Sequence, residues 1–161
     1  MTAVQRLHAA ARGDRGGDGG SAIIEFVFVA VIVMVPLVYL VVAVASVQRS
    51  QLAVSQAARE AGRAFATSSG PAEAQVRVGA AVRLALAAQG LPDDAVVRFV
   101  APGSGCSAPP ITPRVAPGAQ FTVCVTRHAE LPGVPSVLSG RGVTAVGQYV
   151  VHIDDYRTVT S

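Results

Sequence analysis

The chain has 161 residues, of which 51% are hydrophobic and only 14% charged, and its mean hydropathy is +0.47. This composition excludes an intrinsically disordered chain, which combines low hydrophobicity with high net charge. It also excludes an all-cytosolic globular domain, because the apolar excess is concentrated between Phe26 and Val47, where no side chain is charged. The net charge of +3 comes from dispersed arginines without interleaved aromatic residues, so we expect no nucleic-acid binding.

The first predicted region is a leader over residues 1–20, which is rich in glycine and carries scattered charges. Such a stretch cannot bury enough apolar area to offset the entropy lost on ordering, so we expect it to be flexible. Arg6, Arg12 and Arg15 precede the apolar run, which favours a cytoplasmic N-terminus.

The apolar run Phe26–Val47 predicts a transmembrane helix. Its 22 residues, at ~1.5 Å each, give roughly 33 Å, which is enough to cross a bilayer core of ~30 Å. Pro36 lacks an N–H group and leaves the Ile32 carbonyl without its helical partner, so we expect a bend there. No turn signal follows until Ser68, and this predicts one helix from about Ile23 to about Ala66, within a region spanning residues 21–66.

Beyond the membrane run, residues 48–66 should continue this helix as an amphipathic rod. Its predicted apolar stripe consists of Leu52, Ala58, Ala61 and Phe65. Gly70 and Pro71 then predict a second helix over 72–89, with Glu73 in its first turn and Gly90 at its end. The predicted core side of this helix consists of Val76, Ala80, Leu84 and Ala87, while Ala74 and Val78 suggest no packing motif.

The hydrophobic period changes to two after a turn at residues 91–94, where Asp93 and Asp94 are expected to be solvated. Three strands are predicted, at Ala95–Ala101, Gln120–Arg127 and Val143–Asp154. An antiparallel meander packed on the two helices is the simplest arrangement. The sequence therefore predicts an α+β fold with an extracytoplasmic headgroup over residues 67–161.

Cys106 and Cys124 are the two cysteines of the chain. In an exported protein they predict a disulfide that ties the loop 102–118 to the second strand, with a stabilisation of ~3 kcal/mol in the chain-entropy model. Two free buried thiols are the alternative.

No catalytic or metal-binding motif stands out. His128 and His152 are isolated, and the adjacent carboxylates Asp154 and Asp155 should point apart. Nucleophile elbows, P-loops and dinucleotide fingerprints are missing from the sequence. We therefore expect no enzymatic activity, no cofactor, no metal site and no small-molecule substrate.

The segment Gly20-Ser21-Ala22-Ile23-Ile24-Glu25-Phe26 resembles a type IV prepilin processing site. In that family a charged leader ends in glycine, the fifth mature residue is glutamate, and an aromatic residue often follows in the tight-adherence (Flp) branch. The resemblance implies that a membrane-embedded aspartyl peptidase cuts after Gly20 on the cytoplasmic side. It also implies that Glu25 neutralises the new amine of a neighbouring subunit, a pair that is tolerable at the edge of lipid.

Residues 51–64, with Ala-Ala-Arg-Glu followed by a small residue and Arg63, are similar to the stretch after the membrane helix in TadE-like proteins. Those proteins are minor pilin-like components of tight-adherence pilus machinery, and Pro36 falls where the family commonly has a proline. The resemblance implies a single-pass membrane protein whose partners are other pilin-like subunits, the pilus assembly platform, a prepilin peptidase and membrane lipid.

Ala43-Val44-Ala45 before Ser46 supports a different interpretation, because it fits the A-x-A cleavage pattern of an ordinary secretory signal. Cleavage there would release a soluble protein, whereas no cleavage would leave a single-pass anchor; either form would carry an adhesive or regulatory headgroup. The apolar run is longer than the usual 7–15 residues of a signal sequence, which argues against cleavage after Ala45.

Overall fold

A computed structural model of the chain describes residues 18–129 and 142–156, with side chains from residue 23 onward. The elements in these ranges are α1 (Asp18–Ala66), α2 (Pro71–Ala88), β1 (Val96–Val100), β2 (Gln120–Ala129) and β3 (Val143–His152). Helices followed by a small antiparallel sheet confirm the predicted α+β class. The described residues divide into two compact units, one that ends at Val41 and one that begins at Val42. The predicted flexible leader lies outside the described residues, except for its last three.

α1 is one helix of 49 residues, which confirms the predicted continuity from the apolar run into the rod. It ends at Ala66 as predicted and begins at Asp18, five residues before the predicted start. The additional residues include Gly19 and Gly20, which are weak helix formers, so we attribute this first turn to propagation from the helix behind it. Pro36 lies inside α1, and the bend at this residue stays a prediction.

Within the second unit, α1 buries a face made mostly of small side chains. The buried residues are Ser50, Ala53, Val54, Ala57, Ala58, Ala61 and Phe65. The prediction is confirmed for Ala58, Ala61 and Phe65, but it is wrong for Leu52, which is 60% exposed. The buried face follows steps of three and four residues from Ser50, and Leu52 falls between successive steps.

A side chain from the first turn of α2 bonds a residue just before the helix start. Gly70 is the N-cap residue and Pro71 the first helical residue, so the helix begins one residue before its predicted start. The Glu73 carboxylate accepts a hydrogen bond of 2.9 Å from the backbone N–H of Ser69 and another from the Ser69 hydroxyl. Both bonds lower the pKa of Glu73 below its ordinary value, because they favour the ionised form. The bond from the Ser69 hydroxyl has the larger effect. The two bonds also satisfy a backbone donor next to the helix start.

The core side of α2 differs from the predicted one. Its buried residues are Ala74, Val78, Val82 and Leu86. Val76 and Leu84 of the predicted stripe are each 72% exposed, so the predicted core side is wrong. Both sets repeat at steps of three or four residues, so the period alone could not show which set faces the core.

The three strands form one antiparallel sheet in the order β1-β2-β3, as the predicted meander requires. β2 is buried on both faces from Phe121 to Val125, although its alternating sequence predicted one wet face. The loop between β1 and β2 is bonded to this second face through the disulfide at Cys124. On the other face, Phe65 of α1 meets Phe99 and Phe121 with ring centroids 5.5 and 4.7 Å apart, and these rings form the centre of the core.

Candidate functional site: the first helix and its contact with the sheet

The predicted processing and assembly residues lie together near the N-terminal end of α1. Gly20 and Ser21 belong to its first turn. Glu25 follows Ser21 by four residues, so the two positions lie one turn apart on the same helix face. Glu25 is exposed and Phe26 is 74% exposed. The Glu25 carboxylate is therefore accessible to a partner chain and close to any charge placed at residue 21.

The apolar run that follows is uncovered in the monomer. Its large hydrophobic side chains from Ile23 to Val44 have exposed fractions from 38% at Tyr39 to 74% at Phe26. In the described part of the chain, this is the one helix long and apolar enough to cross a membrane. A contiguous apolar surface of this size needs lipid or partner helices to cover it.

Two glycines bring α1 and β3 into direct contact. A Cβ atom on Gly147 would lie 2.1 Å from the carbonyl oxygen of Val54, so no larger residue fits beside the helix backbone. A Cβ atom on Gly62 would lie 2.6 Å from Cδ1 of Tyr149. Gly147 allows the backbone of β3 to approach the backbone of α1, and Gly62 allows the ring of Tyr149 to approach α1.

The carboxamide of Gln51 ties α1 to the exposed edge of β3. Its Nε2 donates a hydrogen bond of 2.8 Å to the carbonyl oxygen of Val146, and its Oε1 accepts one of 3.3 Å from the N–H of the same residue. Among the described strands β3 lies at an edge of the sheet, and this pair of bonds is what a neighbouring strand would supply. Gln51 thus covers part of an edge that could otherwise pair with another chain.

A buried arginine links three segments of the second unit. Arg127 of β2 is only 6% exposed, and its Nε and Nη2 donate hydrogen bonds of 2.8 and 2.9 Å to the two carboxylate oxygens of Asp94. Its Nη1 donates a bond of 2.8 Å to the hydroxyl of Ser50 in α1. Asp94 is exposed, as the expectation of a solvated turn residue requires, but this fork-shaped ion pair, which was not expected, also holds it against the sheet.

Because of the Asp94–Arg127 pair, we expect acid to destabilise the fold. The hydrogen bonds from Arg127 hold the pKa of Asp94 below its ordinary value. The ion pair therefore makes its full contribution to stability when the pH is above that ordinary pKa. This contribution should be lost as the pH falls from about 4 through the lower pKa of the folded state. Acid unfolding of the full chain in detergent, followed by tyrosine circular dichroism, should therefore be less steep in Asp94→Asn.

At neutral pH, Asp94→Asn should also cost about 1–3 kcal/mol, because it leaves a buried guanidinium without its carboxylate. Asp93→Asn is the matched control, since Asp93 is exposed and the described residues give it no ion pair. Equal unfolding free energies for the two variants would contradict the structural role of the pair.

The disulfide between Cys106 and Cys124 is present, which confirms the prediction and excludes two free thiols. His128 and His152 are exposed, and their nearest polar side chains are Thr144 and Gln120. Within residues 18–129 and 142–156 there is no group of three or more His, Cys, Asp or Glu side chains that could hold a metal ion.

Sequence reasoning missed the contacts that place the sheet on α1. An isolated glycine inside a strand signals close approach of another backbone, and Gly147 carries that signal. Nothing local in the sequence pairs Arg127 with Asp94, which lies 33 residues away. Gln51 likewise gives no sign that its partner is 95 residues further along the chain.

Comparison with known protein families identifies one matching region. Residues 20–63 match the family described as TadE-like protein, and this region is nearly all of α1 but less than a third of the chain. Comparison with curated proteins and with solved structures found no match. The match covers Gly20, Glu25, Pro36 and Arg59, on which the expected resemblance depends. Over residues 20–63, this chain is similar to the TadE-like family, as its sequence predicts.

Proposed function

We propose that this chain is a minor pilin-like structural component of a tight-adherence pilus system and has no enzymatic activity. One observation carries the proposal: the TadE-like region coincides with a single helix whose apolar side chains are uncovered and whose uncharged run begins directly after the Glu25 carboxylate. Such a helix can insert in lipid and pack against other pilin-like helices. The partners are those subunits, the assembly platform and membrane lipid.

Maturation by a prepilin peptidase after Gly20 is part of the proposal. The position of this bond in the first turn of α1 supports it, because the N–H groups of the residues before it, Asp18, Gly19 and Gly20, have no intrahelical acceptor. Gly19 and Gly20 also have low helix propensity. Unwinding this turn to present the Gly20–Ser21 bond therefore costs little.

The proposed orientation has residues 1–20 in the cytoplasm and residues 67–161 outside it. The arginines before the apolar run support the first part. The Cys106–Cys124 disulfide supports the second, because such bonds form and persist in oxidising compartments.

One observation also favours the alternative, a secreted protein with an adhesive or regulatory headgroup. The buried residues of α1 begin at Ser50, so cleavage after Ala45 would leave the core of the second unit complete. An uncleaved single-pass anchor is the remaining form. The three forms differ in their first residue: Ser21, Ser46 or Met1.

The Glu25 carboxylate should act in assembly and not in cleavage. Removing the leader exposes the amine of Ser21 at the membrane edge, where an unpaired charge is costly. We expect Glu25→Ala to mature normally but to co-purify with the pilus machinery at about a tenth of the parent level or less, since a charge-assisted contact is worth ~1.5–3 kcal/mol.

Glu60→Ala is the matched control for this experiment. Glu60 lies on the same helix and is exposed, and its one ion pair among the described residues is a long contact of 3.9 Å with Arg63. Quantitative immunoblotting of the affinity-purified machinery should give the control the parent level. If Glu25→Ala also reaches the parent level, the carboxylate merely marks the start of the membrane span.

A further inference from the structure

A cleft of about 220 Å³ opens beside the Arg127–Asp94 pair, within the second unit. Its lining includes Ser46, Arg49, Ser50, Leu91, Pro92 and Arg127. We propose that this cleft binds the phosphate of an anionic phospholipid in the extracytoplasmic leaflet, with Arg49 and Arg127 as its ligands. The proposal rests on the membrane insertion of α1 proposed above.

The position of the cleft along α1 supports a lipid ligand. The uncharged run ends at Val47, and Arg49 and Ser50 follow within three residues, or roughly 3–5 Å of helix rise. The polar headgroup layer occupies about 5–8 Å on each side of the hydrocarbon core. The bond of 2.8 Å from Arg127 to Ser50 places the buried guanidinium at the same level. Both arginines therefore lie in the layer that holds the lipid phosphates.

The hydrogen-bonding capacity of the cleft supports a phosphate. Arg127 has five N–H groups, of which three are used by Asp94 and Ser50. The other two have no described protein acceptor, although the residue is 6% exposed. A phosphate oxygen is a strong acceptor for such donors, and arginine binds phosphate through paired N–H groups.

The charge of the cleft favours an anion. Asp94 neutralises Arg127, whereas Arg49 is exposed and has no carboxylate within ion-pair distance among the described residues. The lining thus carries one net positive charge. Leu91 and Pro92 give one wall an apolar surface, which suits the glycerol and upper acyl carbons of a lipid better than a free ion.

The test uses the full chain in nanodiscs that contain equal parts phosphatidylglycerol and phosphatidylcholine. Native mass spectrometry of the released protein counts the lipids that stay bound. We expect about five times more phosphatidylglycerol than phosphatidylcholine to stay bound, because one arginine near the membrane surface strengthens the binding of an anionic lipid by about that factor. Arg49→Gln should remove the preference, and Arg49→Lys should keep most of it because it keeps the charge.

Arg83→Gln is the control, because Arg83 is an exposed arginine of α2 outside the cleft. It should retain the full preference. Equal binding of the two lipids by the parent, or an unchanged preference in Arg49→Gln, would overturn the proposal. Because only protein already inserted in nanodiscs is measured, this failure would leave the membrane insertion of α1 intact.

A second arm separates a lipid from a free phosphate. Soluble glycerol phosphate at millimolar concentration should not displace phosphatidylglycerol, because it lacks the acyl carbons that contact Leu91 and Pro92. If glycerol phosphate displaces the lipid completely, the cleft is a site for free phosphate and the lipid assignment is wrong.

Discussion

Replacing Gly147 with alanine should destabilise the second unit by about 2–4 kcal/mol, more than the same change at Gly62 or Gly79. The new Cβ would lie 2.1 Å from the carbonyl oxygen and 2.3 Å from the carbonyl carbon of Val54. These atoms belong to the backbone of α1 and cannot rotate away, so helix and sheet must separate. At roughly 2–4 °C per kcal/mol for a chain of this size, the melting temperature of the full chain in detergent should fall by at least about 4 °C.

Two other glycines provide graded controls for this prediction. Gly79→Ala makes the same chemical change in α2, where the nearest atom is the Arg83 guanidinium at 3.6 Å. It should stabilise the helix by about 0.5–1 kcal/mol. Gly62→Ala should have an intermediate effect, because its nearest neighbour is the ring of Tyr149, which can move. A Gly147→Ala protein that melts with the parent would show that the α1–β3 contact is not as close as described.

Gly20→Leu should block maturation almost completely and leave the leader attached. A peptidase that cuts beside this residue must admit the backbone closely, and only glycine offers no Cβ. The structure adds that the bond lies in the first helical turn, where leucine strengthens the helix by roughly 1 kcal/mol relative to glycine. Both effects act against cleavage. The mature fraction is measured by immunoblotting of membranes from cells that contain the peptidase.

Gly19→Leu separates the two effects, because it strengthens the same turn without changing the residue at the proposed cut. It should reduce processing only modestly, by about fivefold at most for ~1 kcal/mol of added helix stability. If the Gly20→Leu protein matures normally to Ser21, or to Ser46 by the ordinary signal route, the prepilin interpretation is wrong.

Local signals were sufficient to predict most element boundaries. The end of α1 at Ala66 follows from the cluster of turn residues after it, and α2 begins within one residue of its predicted start because Gly70 and Pro71 mark a helix start unambiguously. The disulfide follows from the number of cysteines and the exported context. Each of these features depends on residues close together in the sequence.

Features that depend on distant contacts were not predictable. α2 has two apolar stripes, and only its packing on the small residues of α1 and on β2 decides that Val78 and Val82 face the core. Both faces of β2 are buried because a loop is bonded to its second face, which its own alternation cannot indicate. The Asp94–Arg127 pair joins a turn to a strand, and neither residue carries a mark of its partner.

The proposed role depends most directly on where the mature chain begins. N-terminal sequencing of the membrane-associated protein, purified from cells that contain the pilus machinery, tests this in one measurement. We predict a mature chain that starts at Ser21, with Glu25 as its fifth residue. A chain that starts at Met1 or at Ser46 would contradict the account.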